Sequence, residues 1–293
     1  MKKIKKIASA LWEHYKKCDL CPRICGVNRL AGELGFCEAG TDLKIASMNL
    51  HFGEEPPISG TGGSGTVFFT NCTLRCVFCQ NYPISQLASG KVYSSQEAAE
   101  KMLGLQKKGA HNLNLVTPTH MLPSILQALA LAVSEGFTLP IVYNTSGWER
   151  KEIILMLEGI VTIFLPDMKY SDDALAARFS GCGDYVGPNR SAILEMQRQQ
   201  PRLCLDDSCV AESGLLIRHL VLPGQVGNTI AILDWICKHL GRNTNVSLMS
   251  QYFPAYNAKS IPGLEQSLSA GEYERAVEHA EKLGMENIFI QAI

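Results

Sequence analysis

The chain has 293 residues, 46% of them hydrophobic and 19% charged, with a formal net charge of −1. That balance excludes a disordered or low-complexity chain and leaves enough apolar mass for a sizeable core, in one large domain or two small ones. Near-neutrality also argues against nucleic acid and anionic membrane as partners; the basic start MKKIKK, with Lys16 and Lys17, reads as a solvated helix face.

No apolar run reaches the ~18 residues of a spanning helix. The start lacks the apolar stretch and small-residue cleavage site of a secretory signal, so the expectation is a soluble, cytoplasmic protein. Eleven cysteines, an odd number, then point to reduced thiols and metal rather than disulfides. Seven fall in the first 79 residues, whereas Cys182, Cys204, Cys209 and Cys237 are scattered and read as buried small hydrophobes or surface thiols.

In chain order, residues 1–60 are turn-rich and carry Cys18, Cys21, Cys25 and Cys37, separated by two, three and eleven residues, with Gly26, Gly32 and Gly35 free to turn tightly. Four thiolates close a tetrahedral zinc or hold a cubane iron–sulfur cluster, and spacing does not separate the two. So short a segment buries little core of its own, and 1–60 is expected to be a small cysteine-rich, metal-binding extension. Arg23 and Arg29 within it read as solvent-facing, or as meeting a carboxylate-bearing substrate or partner. GTGGSG (60–65) precedes a strand and lacks the Gly-Lys-Ser/Thr of a phosphate loop, so it reads as a flexible passage.

Over 61–293, short β-branched and aromatic runs alternate with amphipathic ones, the pattern of repeated βα units in an α/β fold. Strands are expected at 66–71, 112–118, 140–146, 161–169, 214–223, 246–253 and 287–293, with helices at 94–109, 122–136 and 227–241, each ending on glycine. Right-handed crossovers of this kind predict a parallel sheet curled into a full or partial barrel, its reactive groups just past the C-terminal strand ends. The unusual residues sit there, in NCTLRC, TPTH, NTSGWE, PDMKYSDD, PGQVGN and SQYFPAYN.

Cys72, Cys76 and Cys79 follow the first of these strands as Cys-x3-Cys-x2-Cys. Three soft thiolates hold three corners of a cubane cluster and leave the fourth iron open to a small molecule. This loop, with Phe78 just before its third cysteine, resembles the signature of the radical S-adenosylmethionine enzymes. The resemblance implies a partial (β/α)6 barrel of that type, a [4Fe-4S] cluster, and S-adenosylmethionine chelated through its amino and carboxylate groups to the open iron. It further implies reductive cleavage to a 5′-deoxyadenosyl radical that abstracts hydrogen. An electron donor such as flavodoxin or ferredoxin, and a small molecule, peptide or protein as substrate, come with it.

Within that superfamily CDLCPRICGVNRLAGELGFC, NLNLVTPTH, YNTSGWE, LPDMKY, IRHLVLPG and MSQYFP resemble the pyruvate formate-lyase activating-enzyme-like branch, over almost the whole chain. This resemblance implies glycyl-radical installation on a partner enzyme as the specific reaction. By the same resemblance Asp167 and Lys169 face the cofactor, Phe78 packs near its adenine, Asn144 and Ser146 meet the ribose, and His219 lies beside the adenosyl group or is a satisfied core histidine. The branch's Gly-Gly-Glu is replaced by TPTH, where Thr117 and carbonyls near Pro118 can accept from the cofactor ammonium, with His120 nearby. The chemistry belongs to the cluster itself, with Lys169 the candidate among side chains. The competing readings are a non-catalytic iron–sulfur or zinc protein of electron transfer or assembly, and a nucleic-acid modifier, which the neutral charge disfavours.

Overall fold

The computed structural model describes residues 2–291. Its elements run α1 (Lys2–Glu13), β1 (Leu43–His51), α2 (Pro56–Ser59), β2 (Ser64–Phe69), α3 (Tyr82–Ser85), β3 (Lys91–Tyr93), α4 (Ser95–Lys107), β4 (Leu113–Val116), α5 (Leu122–Ser134), β5 (Ile141–Thr145) and α6 (Lys151–Met156). They continue with β6 (Ile163–Pro166), α7 (Asp173–Ser180), α8 (Val186–Gln199), β7 (Cys204–Leu205), β8 (Ala211–Leu220), α9 (Val226–His239), β9 (Asn245–Met249), α10 (Ala270–Lys282) and β10 (Ile288–Ile290). All seven expected strands form; the last two residues of the 287–293 run lie outside the described residues.

One sheet holds the strands in the order β10-β9-β8-β6-β5-β4-β2-β1-β3, with β7 paired to β8. From β2 to β10 every neighbouring pair along that path is parallel, while β1 joins β2 and β3 antiparallel. Strands buried on both faces read as continuous apolar runs, and β5 and β6 are buried at every position. The two-residue period sorts their side chains. Leu113, Leu115, Tyr143, Phe164, Leu215 and Ile217 join the helices in the main core. Val142, Ile163, Leu165 and Leu216 point the other way and pack with Ile58 and Ala211.

The helices begin and end where their chemistry directs. Ser94 caps α4 in a reciprocal box, its hydroxyl accepting the Glu97 N–H (3.2 Å) while the Glu97 carboxylate accepts the Ser94 N–H (2.8 Å), a device contributing about 1 kcal/mol. Ala98, Ala99, Met102 and Leu105 form its buried stripe, and Gly109 past its end takes φ +84°, the left-handed region that costs a side chain energy.

The expected boundary at residue 60 is not a break in the fold. Leu11, Tyr15, Leu20, Leu43 and Ile45 belong to the same core as the later helices. β1 was not expected; Ser47, Asn49 and His51 interrupt its apolar pattern, and its pairing with β2 supplies what periodicity does not signal. The arginines expected in solvent stitch the segment down. Arg29 is 3% exposed, lies over the Tyr15 ring (4.2 Å) and donates to the carbonyls of Gly40 and His120 (2.7 Å to His120). Arg23 stacks on Phe36 (3.3 Å) and donates to Thr73 O (2.8 Å) and Gly181 O (2.9 Å). The GTGGSG run is packed rather than free: Gly62 N–H donates to His111 Nε2 (2.8 Å), and Ser64 and Gly65 are already in β2. Among the described residues no helix is long and apolar enough to cross a membrane.

Candidate functional site

Asn71 turns the chain off β2. It holds φ +67°, a conformation asparagine tolerates better than most residues, and its Nδ2 donates to Cys37 O (2.8 Å). The next eight residues present Cys72, Cys76 and Cys79 to a cleft of about 420 Å³. Each sulfur has a partner: the Leu74 N–H donates to Cys72 Sγ (3.4 Å), the Ser180 hydroxyl to Cys76 Sγ (2.9 Å), and Cys79 Sγ lies 3.1 Å from Ser85 Oγ.

Thr117, Asn144, Ser146, Asp167 and Lys169 line the same cleft. Four successive strand ends, of β2, β4, β5 and β6, therefore bring the cysteines and the residues expected around a cofactor together. Phe78 and His219 are not among the lining residues. Phe78 is 6% exposed and packs against Tyr252, ring centroids 6.1 Å apart. His219 is fully buried on the helix side of β8, its Nδ1 2.6 Å from Met168 O and its Nε2 2.8 Å from Thr229 Oγ1. It is the satisfied core histidine of the two readings, and burial lowers its pKa to about 4. His120 is likewise buried, 2.7 Å from Thr70 O, with its pKa lowered by burial to about 4.

The loops over the cleft are cross-braced. Thr117, β-branched yet at φ +56°, is held by its N–H donating to Asn144 O (2.8 Å); such strain persists only where surroundings enforce it. The Tyr185 hydroxyl lies between Ser146 O (2.8 Å) and Asp167 O (3.1 Å) and accepts the Lys169 N–H (3.0 Å). Asn189 Nδ2 donates to Gly147 O and Asp167 O, both at 3.0 Å. Glu149 is fully buried and accepts the hydroxyls of Thr119 (2.5 Å) and Thr145, tying TPTH to the end of β5. Sequence reading missed Tyr185 and Asn189, because both come from around α8, well after the strands they brace.

One ion pair stands among the cofactor candidates of the cleft. Lys169 Nζ is 2.5 Å from Asp167 Oδ2; burial lowers the lysine pKa, but Asp167 and the Cys76 sulfur outweigh it and the net shift is upward. Burial raises Cys72 to about 12, helped by Cys76. Burial likewise raises Cys76 to about 11, against the pull of Lys169. Metal ligation must displace these protons.

A second polar group, to which the motifs assign no role, lines the cleft. Arg218, one residue before His219, points to the opposite face of β8 and meets Glu54 and Glu55. Strand alternation was the available signal: once His219 faces the helices, Arg218 and Leu220 must face the cleft.

Cys18, Cys21, Cys25 and Cys37 line one small enclosed cavity with Arg23, Arg29, Phe36, Thr73 and His120. Among the described residues no three His, Cys, Asp or Glu side chains are gathered as the shell of a single metal ion. Of the scattered cysteines, Cys182 is buried, Cys204 and Cys209 are exposed, and Cys237 is intermediate.

No protein-family model matches the chain. It is 32% identical over 285 residues to the uncharacterized protein MJ0674 of Methanocaldococcus jannaschii, covering 94% of this chain and 77% of that one. A second protein of that organism, the uncharacterized protein MJ0808, is 21% identical over 265 residues, covering 84% and 73%. Among solved structures, methylornithine synthase (PylB) aligns with TM-score 0.48 and 16% identity over 74% of this chain. Native anSMEcpe with bound AdoMet and Cp18Cys peptide aligns with TM-score 0.48 and 12% identity over 73%. The chain spans 62% and 56% of the lengths of those two structures.

Proposed function

The chain belongs to the family of the archaeal protein MJ0674, and within that family we propose that it is a radical S-adenosylmethionine enzyme. The observation that carries the reading is the cleft itself: three cysteines face it, and no fourth cysteine is among its lining residues. Thiolate is the donor that iron–sulfur clusters take, and the hydrogen bonds to all three sulfurs are the outer contacts that tune such a group. Cys72, Cys76 and Cys79 would hold a [4Fe-4S] cluster, which when bound supplies one electron to cleave S-adenosylmethionine.

The chain's own groups suit the rest of that cofactor. Lys169 offers an ammonium to a carboxylate, already oriented by Asp167. The left-handed turn at Thr117, and Asn144 and Ser146 at the end of β5, offer acceptors and donors to an ammonium and to ribose hydroxyls. The cleft's volume is that of a cofactor-sized site. The partial-barrel description rests on side chains in β2, β4, β5, β8 and β9, and on Asp167 just past β6, converging on this one cleft. Hydrogen abstraction is the reaction class; glycyl-radical installation on a partner enzyme is the specific version supported by the motifs alone.

Cys18, Cys21, Cys25 and Cys37 would hold the second metal group, zinc or a cubane cluster, around the cavity they line. Thr73 lines that cavity and is the chain neighbour of Cys72. A redox-active group there would stand next to the first site, whereas zinc would only fasten the segment.

Anaerobic reconstitution with iron and sulfide, then dithionite and S-adenosylmethionine, tests the main reading. Wild type releases 5′-deoxyadenosine and methionine; release no greater than from Cys76→Ala overturns it. Metal analysis of the variant lacking Cys72, Cys76 and Cys79 identifies the second group, as zinc without iron or about four irons.

A further inference from the structure

Beyond the cofactor residues the cleft holds a buried polar patch to which the reading above gives no task. Arg218 Nη1 lies 3.4 Å from Glu54 Oε2, and Arg218 Nε lies 3.2 Å from Glu55 Oε1. Asn114, fully buried on the cleft side of β4, donates from Nδ2 to Glu54 Oε1 (3.1 Å). Only 6% of the Glu54 side chain, 4% of that of Glu55 and 17% of that of Arg218 is exposed. Glu54, Arg218 and the neighbouring His51 line the cleft directly.

The hydrogen bonding of this patch does not close. Both Glu55 carboxylate oxygens, Asn114 Oδ1 and Arg218 Nε lack a hydrogen-bond partner, as does the hydroxyl of Ser247 on the adjoining strand β9; the Glu55–Arg218 contact is an ion pair off the hydrogen-bonding direction. Folded chains seldom leave so many buried polar atoms unmet in one place. The surplus has a sign. Two carboxylates face one guanidinium, and the unmet atoms are mostly acceptors. An anion is disfavoured because Arg218 turns Nη1 and Nε to the glutamates and Nη2 to Met249 Sδ (3.5 Å), so an incoming carboxylate would meet two others. Asp167 and Lys169, also in the cleft, already neutralise each other.

We propose that this patch binds the cationic end, an ammonium or a guanidinium, of the molecule acted on in the cleft. The proposal rests on the reading of the cleft as a catalytic site. Its chemistry is that of a charge-assisted donor to Glu54, the carboxylate that lines the cleft, with Glu55 and Asn114 buried behind it and Arg218 fixing the carboxylates in place. The substrate class is then an amine, an amino acid or a peptide bearing a basic side chain.

Calorimetric titration of the reconstituted protein, with S-adenosylmethionine present, separates the possibilities using n-butylammonium, n-butylguanidinium, n-butanol and n-butyrate as probes. The expected result is a preference of about tenfold or more for a cationic probe over n-butanol, with n-butyrate weakest. In Glu54→Gln and Glu55→Gln that preference should shrink toward parity. A wild-type protein with no preference for either cation overturns the proposal, and this comparison requires no variant to fold. A preference that both variants retain also overturns it. S-adenosylmethionine is titrated in the same series. Binding of the cofactor without cation preference removes the patch proposal alone; cation preference without cofactor binding removes the cofactor reading and leaves the patch.

Discussion

Replacing Glu149 by glutamine should make the fold less sensitive to pH. The carboxyl is fully buried, and that burial raises its pKa from 4.5 to about 7, the hydroxyls of Thr119 and Thr145 offsetting only part of the cost. Because the folded value lies above the unfolded one, the native chain keeps a proton that the unfolded chain releases between pH 4.5 and about 7. Stability contributed by this group is therefore greatest at low pH, falls as pH rises through that window, and levels off above it. Glutamine keeps an oxygen for the two threonines and never ionises. From pH 5 to pH 8.5 the wild type should lose about 2.5 kcal/mol relative to E149Q, or about 5 °C in midpoint for a chain of this size. Anaerobic thermal unfolding of both proteins at both pH values, at one ionic strength, measures the difference. Parallel pH dependence of the two would refute the reasoning, since it would mean that the carboxylate ionises in the fold without penalty.

Three further outcomes follow from contacts around the cleft. Gly147→Ala places a Cβ 2.0 Å from Asp167 O at φ +73°, so it should destabilise the protein by about 3 kcal/mol or more; a thermal midpoint within a degree of wild type would contradict that packing. Ser180→Ala removes the hydroxyl donated to Cys76 Sγ. It should lower the cluster's midpoint potential by about 40 mV in a spectroscopically monitored titration, as expected for losing one hydrogen bond to a more negative reduced state. Lys169→Met should weaken S-adenosylmethionine binding by about tenfold or more in equilibrium dialysis, the worth of a charge-assisted contact; unchanged affinity would remove Lys169 from the cofactor site.

Much of this site was readable before any fold was known, for physical reasons that also mark the limit. Parallel strands bury both faces, so Val, Ile, Leu and Phe runs betray them, and Cys72, Thr117, Asn144 and Asp167, at or just past their C-terminal ends, line one cleft. β1 escaped because it pairs antiparallel at one side of the parallel run and mixes polar with apolar positions. His219 is singled out by the resemblance of its motif, while the neighbour that faces the cleft, Arg218, differs from it in strand phase. Arg23 and Arg29 looked like surface residues because nothing local tells that Thr73, Gly181 and His120 offer them carbonyls across 50, 158 and 91 residues. Glu54 and Glu55 lie in a loop without motif, and only the folded chain sets them against Arg218, 164 residues beyond Glu54.

The central claim is that three thiolates leave a coordination position which the cofactor takes. Electron-nuclear double resonance of the reduced, reconstituted protein with S-adenosylmethionine labelled at its amino nitrogen and carboxylate oxygen tests this directly. The account predicts hyperfine coupling from both labels, absent in Cys76→Ala. A cluster that forms, reduces and shows no coupling to either label would contradict it.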